Sequence, residues 1–174
     1  MRAAFCPAAG TIALREVAAP EPGPGEVVVR VRACGICGSD LHWFLGSLRP
    51  PHVCPGHEIA GEIAALGAGV AGWHAGDRVA VEPLVACGIC RYCRAGQPQL
   101  CRTMQIIGQQ QPGGLAELVA VPAGALFAVP AGLSWPIAAL AEPTAVCVHA
   151  YRLAALPAGA RVLILGAGSV GLLS

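Results

Sequence analysis

The sequence predicts a mostly antiparallel, barrel-like β domain that runs into the opening strand and helix start of a parallel α/β domain. Three observations predict it. Short apolar stretches recur near residues 11–17, 27–32, 59–66, 77–82 and 115–121, set apart by Gly and Pro. A loop carrying four cysteines interrupts that series at Cys87–Cys101. Residues 161–171 then join an apolar run to a glycine-rich turn.

Glu21-Pro-Gly-Pro-Gly25 is a turn cluster. Arg30 and Arg32 after it alternate against Val29 and Val31, the period of a half-buried strand. Farther on, Ser134 is placed to cap a helix that Pro136 helps start and Pro143 interrupts. A second helix is expected from Pro143 toward Ala155. The implied organisation is a β domain over 1–133, a helical connection over 134–157 and the truncated start of a second domain over 158–174. The chain has no internal repeat and no linker of disordered composition.

Composition narrows the class. The formal net charge is +1 and 12% of residues are charged, which excludes a binder of nucleic acid or other polyanions built on bulk charge. No apolar run reaches the roughly 18 residues needed to span a bilayer. The run Ala3-Ala4-Phe5-Cys6 before Pro7 is too short for a secretory signal. Nine cysteines, an odd number with four in one metal-type pattern, point to a reducing cytoplasm. The expectation is a soluble, cytoplasmic, globular protein.

Cys87, Cys90, Cys93 and Cys101 stand at C-x2-C-x2-C-x7-C spacing. Four thiolates so placed can fold one loop around a tetrahedral ion, and zinc suits them because it imposes no geometry of its own. A shell of four cysteines leaves no open position, so this loop reads as a structural clasp. Iron–sulfur ligation of the bacterial type calls for a Cys-Pro fourth ligand, whereas Cys101 precedes Arg102. Disulfides would need an oxidising compartment.

A second group lies upstream, in Cys34-Gly-Ile-Cys37-Gly-Ser39-Asp40-Leu-His42 and Cys54-Pro-Gly-His57-Glu58. An open zinc site takes about three protein ligands from Cys, His and carboxylate, and Cys37, His57 and an acid would supply them. Ser39 and His42 add a hydroxyl and an imidazole, the usual parts of a proton path. Spacing alone leaves another reading open, with Cys34 and Cys37 as buried small residues and His57 as a structural histidine.

Arg161-Val-Leu-Ile-Leu165 runs directly into Gly166-Ala-Gly168-Ser-Val-Gly171. This is strand followed by G-x-G-x-x-G, the Rossmann dinucleotide fingerprint. Its glycines serve the tight turn, the approach of a pyrophosphate and helix–strand packing. The acidic residue that would grip the ribose falls about 20 residues farther on, beyond Ser174.

These segments together resemble the N-terminal half of a zinc-dependent medium-chain dehydrogenase/reductase of the alcohol dehydrogenase superfamily. The resemblance rests on Gly35-Ile-Cys37-Gly-Ser-Asp40-Leu-His42, Pro55-Gly-His57-Glu58, Gly76-Asp-Arg-Val79, the four-cysteine loop, Gly113-Gly114-Leu-Ala-Glu117 and the terminal fingerprint, all in family order. It implies a GroES-like catalytic domain over 1–133 and a Rossmann NAD(P)-binding domain beginning at 158. It also implies a catalytic zinc held by Cys37 and His57, with Glu58 a ligand or close neighbour, and a structural zinc on the four cysteines.

Leu140-Ala-Glu142-Pro143-Thr144 stands where liver-type enzymes carry a ligand cysteine, and it resembles the polyol, butanediol and threonine dehydrogenase branch. Glu142 is therefore assigned to the catalytic site, its contact with metal direct or through water. The same acid also suits the start of a helix. The implied reaction passes hydride from a secondary alcohol or polyol to NAD or NADP, with Ser39 and His42 relaying the proton and Asp40 orienting a ligand. The implied partners are a small-molecule alcohol and, at full length, further copies in a homo-oligomer. The alternatives are an inactive zinc-binding fragment or one half of a two-chain enzyme.

Overall fold

The computed structural model describes all residues 1–174. In chain order the elements are β1 (Arg2–Ala8), β2 (Thr11–Glu16), β3 (Glu26–Gly35), α1 (Gly38–Phe44), β4 (Glu58–Leu66), β5 (Arg78–Val81), β6 (Leu84–Val85), α2 (Arg91–Arg94), β7 (Gln105–Ile106), β8 (Leu118–Pro122), β9 (Leu126–Ala128), α3 (Trp135–Ala139), α4 (Ala141–Ala154) and α5 (Ser169–Leu173).

β3 is the longest strand, and it pairs antiparallel on both edges in a five-stranded sheet ordered β8-β3-β4-β5-β9. Alternation decides which side chains enter the core. Val27 and Val29 of β3 meet Ile59 and Ile63 of β4, Val79 and Val81 of β5, and Val119 and Val121 of β8. β-branched side chains suit this pleated surface. Burying each of them contributes about 1.5–3 kcal/mol relative to exposure. Arg30 and Arg32 are exposed, as the alternation required, and Arg32 pairs with Glu62 at 2.8 Å.

The opposite face of the sheet is closed by α3. Ala60, Ala138 and Ala139 are all buried there, and their small size lets helix and sheet approach closely. Arg78 fastens this layer, its guanidinium 3.6 Å from the Trp135 ring centroid and donating to the Leu133 carbonyl. Ser134 stands at the N-cap of α3, but its side chain makes no capping bond. Pro136 removes one of the N–H groups that such a cap would engage. The helix break comes at Leu140 rather than Pro143, which sits in the first turn of α4, where its missing N–H costs nothing.

Two expectations need correction. The sheets do not close into a barrel. β9 is three residues long and pairs only with β5, while β1 and β2 form a separate hairpin that reaches the main sheet's flank through the Ala3–Ala116 bridge. The strand expected at 162–165 is also absent as a paired element. No neighbouring strand takes up its hydrogen bonds, and Leu163 and Leu165 are 82% and 87% exposed. The turn that follows does form. Gly166 sits at φ 107°, a left-handed conformation that favours glycine, and a Cβ on Gly171 would collide with the Gly166 carbonyl. α5 packs beside α4, with the Tyr151 hydroxyl donating to the Ser174 carbonyl at 3.0 Å. No helix is long and apolar enough to cross a membrane.

Candidate metal centres

Antiparallel pairing builds the first centre. The end of β3 lies beside the start of β4, in a register that sets Gly35 opposite Glu58. Cys37, two residues past that pair, is thereby brought to His57 and Glu58 across a long connection that contains α1. One ligand-type atom from each of the three lies within 4.8 Å of the others. Gly35 makes room for them, because a Cβ there would overlap the Glu58 carboxylate.

α1 orients the cysteine. Cys37 is its N-cap, and the Cys37 N–H donates to Asp40 Oδ2 at 2.8 Å. Asp40, His57 and Glu58 are the buried polar residues of the chain, at 9%, 7% and 8% exposure. Burial raises the pKa of Asp40 against the lowering effects of the Cys37 N–H and of His57. Burial likewise raises Glu58, opposed by His57. Asp40 Oδ1, His57 Nδ1 and Ser39 Oγ have no hydrogen-bond partner. Orphaned buried polar atoms cost roughly 1–3 kcal/mol each, so their convergence here marks a place built for something more than packing. The donor set of one thiol, one imidazole and one carboxylate fits a zinc ion with a position left open.

The structure separates the other expected residues by distance. Ser39 is half-buried in the first turn of α1, and His42 lies one turn on and is exposed. Glu142 lies in the first turn of α4, outside the tight trio. Burial raises its pKa, and the charges of His57 and Glu58 act on it in opposite directions. Glu142 lines a groove of about 600 Å³ together with Pro83, Leu84, Met104 and, on α4, Val146 and His149. Those wall residues carry no short motif, and sequence reasoning missed them. Cys34 and Cys54 are not in the trio. Burial pushes their thiols up to about 12 and about 11, so they remain protonated packing residues.

The second centre is local. β6 and β7 pair through Leu84–Ile106 and Val85–Gln105 and clamp the ends of the loop that carries Cys87, Cys90, Cys93 and Cys101. The Sγ atoms of Cys90 and Cys93 are 3.5 Å apart and those of Cys87 and Cys93 are 3.9 Å apart. Four sulfurs at about 2.3 Å from a tetrahedral zinc would be spaced by about 3.8 Å, whereas a disulfide needs about 2.05 Å. Main-chain N–H groups of Ile89 and Cys90 pull Cys87 down to about 6, which favours its thiolate at neutral pH. Burial and the proton shared with Cys90 push Cys93 up to about 12. The four sulfurs fit one zinc ion and do not fit two disulfides.

Residues 23–131 match the profile of the alcohol dehydrogenase GroES-like domain. The chain belongs to that family. It is 42% identical over 166 residues to L-threonine 3-dehydrogenase of Pyrococcus horikoshii, a match covering 92% of this chain and 47% of that protein. The structure of galactitol-1-phosphate dehydrogenase from Escherichia coli superposes with a TM-score of 0.92 at 35% identity, covering 99% of this chain and 51% of the other. For 2R,3R-butanediol dehydrogenase from Bacillus subtilis the TM-score is 0.87 at 36% identity, with 99% and 52% covered. The chain thus spans about half the length of the relatives it matches. The open sheet described above is therefore this family's GroES-like domain, and both cysteine-containing centres belong to it.

Proposed function

We propose that this GroES-like domain is the catalytic part of a zinc-dependent oxidoreductase that passes hydride between a secondary alcohol or polyol and NAD or NADP. The observation that carries the reading is the grouping of Cys37 with the buried His57 and Glu58, with the unpartnered polar atoms Asp40 Oδ1, His57 Nδ1 and Ser39 Oγ beside it. Named relatives that act on threonine, butanediol and a polyol phosphate support the substrate class.

A zinc ion held there supplies Lewis acidity that favours ionisation of an alcohol hydroxyl, and the nicotinamide supplies the hydride acceptor. Cys37, His57 and Glu58 bind the metal. Asp40 fixes the Cys37 backbone through its Oδ2 and sets a carboxylate charge close to the His57 imidazole. Ser39 Oγ accepts the proton of the substrate hydroxyl and His42, one turn away and exposed, passes it to water. Glu142 lines the groove through which the alcohol enters and holds a carboxylate near the metal, direct or through water. Gly166, Gly168 and Gly171 begin the Rossmann NAD(P)-binding unit, whose turn is consistent with a dinucleotide cradle. The four-cysteine lobe binds a structural zinc.

Metal analysis and turnover test this reading together. Two zinc ions per chain are expected, and the polypeptide purified from its own cells should oxidise 2,3-butanediol, sorbitol or threonine faster than ethanol. One zinc or none under metal-replete conditions sinks the catalytic centre; ethanol turning over fastest sinks the substrate class. The unpaired segment 162–165 favours a further statement about these 174 residues assayed alone. A single glycine turn and a five-residue helix cannot form the crevice that grips a dinucleotide, so NADH fluorescence should show no saturable binding at micromolar concentration. Saturable binding would refute it.

A further inference from the structure

We propose that the pocket between the β1–β2 hairpin and residues 49–52 binds a phosphoryl group, free or carried by a small phosphate monoester. The pocket encloses about 370 Å³. Phe5, Pro7 and Pro51 line it with apolar surface, and Arg15, Arg49 and His52 supply its polar groups. No acidic side chain lines it. None of these residues takes part in either metal centre or in the groove at Glu142.

The strand register orders the first arginine. Phe5 pairs with Ala13, so Arg15 lies on the same face one diagonal step away. Its guanidinium carbon sits 4.9 Å from the Phe5 ring centroid, a cation–π contact that holds the fork beside an apolar wall. Arg49 is ordered from the other side, its Nη2 donating toward His52 Nε2 at 3.4 Å. The frame is stiff. Three prolines at positions 7, 50 and 51 lock φ, and the hairpin tip is tied to α1 by the Gly10 N–H donating to the Phe44 carbonyl at 2.6 Å.

Charge carries the argument to a ligand. Basic and acidic residues are nearly equal in this chain, at 11 and 10. The ion pairs use Arg2, Arg32 and His74, while Arg15 and Arg49 have no carboxylate partner. Two guanidinium forks lining one cavity are thus left without a carboxylate, with the His52 imidazole beside them. Guanidinium forks match the paired oxygens of a phosphate bidentately, which an ammonium cannot do. The volume admits a phosphate with a short carbon stub and is too small for a dinucleotide.

The test titrates the full 174-residue chain, zinc-loaded, with inorganic phosphate and separately with glycerol 3-phosphate. Binding is followed by 31P line broadening and by the side-chain Nε–H signals of Arg15 and Arg49. A Kd of about 1 mM at low salt is expected, weakening several-fold by about 0.15 M salt because the arginines are exposed. R15Q and R49Q should each weaken binding at least about five-fold, the scale of one ordinary hydrogen bond at an exposed site. R152Q, at an exposed position on α4, should leave it unchanged. Binding of both probes, or of the monoester alone, with both arginine signals perturbed supports the proposal. The second pattern assigns the site to an ester. No saturable binding by either probe, or equal weakening by R152Q, overturns it. Should R15Q unfold the hairpin, R49Q on the loop decides.

Discussion

The two cysteine-containing centres differ in how the chain assembles them. The four-cysteine lobe draws all its thiols from one loop, clamped at its base by β6 and β7, and buries little beyond them. The Cys37, His57 and Glu58 trio depends on the register of two long strands, and its groups are held from behind by the main sheet. A metal ion in the lobe would replace the core that this segment lacks. A metal ion in the trio would sit on a core that exists without it. The lobe should therefore need its ion to fold, and the trio should need its ion only to react.

The widest gap between the two should appear on removing one thiol from each. Cys90→Ser should lower the zinc content from two ions per chain to one and abolish hydrogen-exchange protection across residues 86–104, since folding of the lobe and metal binding are one event. The sheet core around Ile59 and Val79 should keep its protection. Retained protection in the lobe would show that it folds on its own contacts and would break the contrast. Cys37→Ser should also cost one zinc, yet move Tm by no more than about 2 °C, because the strands beneath it stay packed. The dehydrogenase turnover proposed above should fall at least about a thousand-fold wherever the unsubstituted protein shows it, the scale of losing a Lewis acid worth several kcal/mol. A large drop in Tm would mean that the trio, too, is a folding element.

The difference between the centres also governs what could be read from the residues. The lobe was legible as a candidate metal site because its four thiols are neighbours in sequence. The trio was legible only as residue types, since spacing says nothing about the β3–β4 register that joins Gly35 to Glu58. Strands with β-branched alternation, such as Val27–Val31 and Val79–Val81, were legible for the same reason that they are stable. β1 was not, because Ala3, Ala4 and Pro7 are poor strand formers, and it is held by its partners Thr11–Glu16 and by the segment at 115–117. β6, β7 and β9 are too short to display a period of two. The opposite error fell on 162–165, where a run of strand-forming residues finds no partner strand. Propensity proposes a strand, and only a neighbour completes its hydrogen bonds.

A subtler probe leaves every metal-binding group in place. Gly35→Ala adds one methyl where the Glu58 carboxylate lies, and the backbone around it is fixed by pairing on β4. The carboxylate must swing aside, so zinc affinity of the trio should fall about 10–100-fold, the range seen when groups supporting a metal ligand are disturbed. The lobe should hold its ion unchanged. Competition with a chelator at graded concentration resolves the two ions. Equal affinities in G35A and wild type would show that Glu58 contributes nothing to the metal.

The smallest expected effect lies away from both centres and separates their chemistry from the acid sensitivity of the fold. Glu117 accepts from the Arg2 backbone N–H at 2.9 Å and from the Arg2 guanidinium, and clips β1 to the bend that leads into β8. The backbone bond, then the guanidinium, hold its pKa below the ordinary 4.5. A carboxyl with a depressed folded value stabilises the fold fully above its unfolded value and loses that contribution as pH falls through the folded one. Because the pair is exposed, E117Q should lower Tm by only about 1–3 °C at pH 7. That difference should persist down to about pH 5, then shrink and vanish in stronger acid. The zinc content of both centres at pH 7 should match the wild type. A Tm difference that survives unchanged into strong acid would mean that Glu117 acts through packing rather than charge.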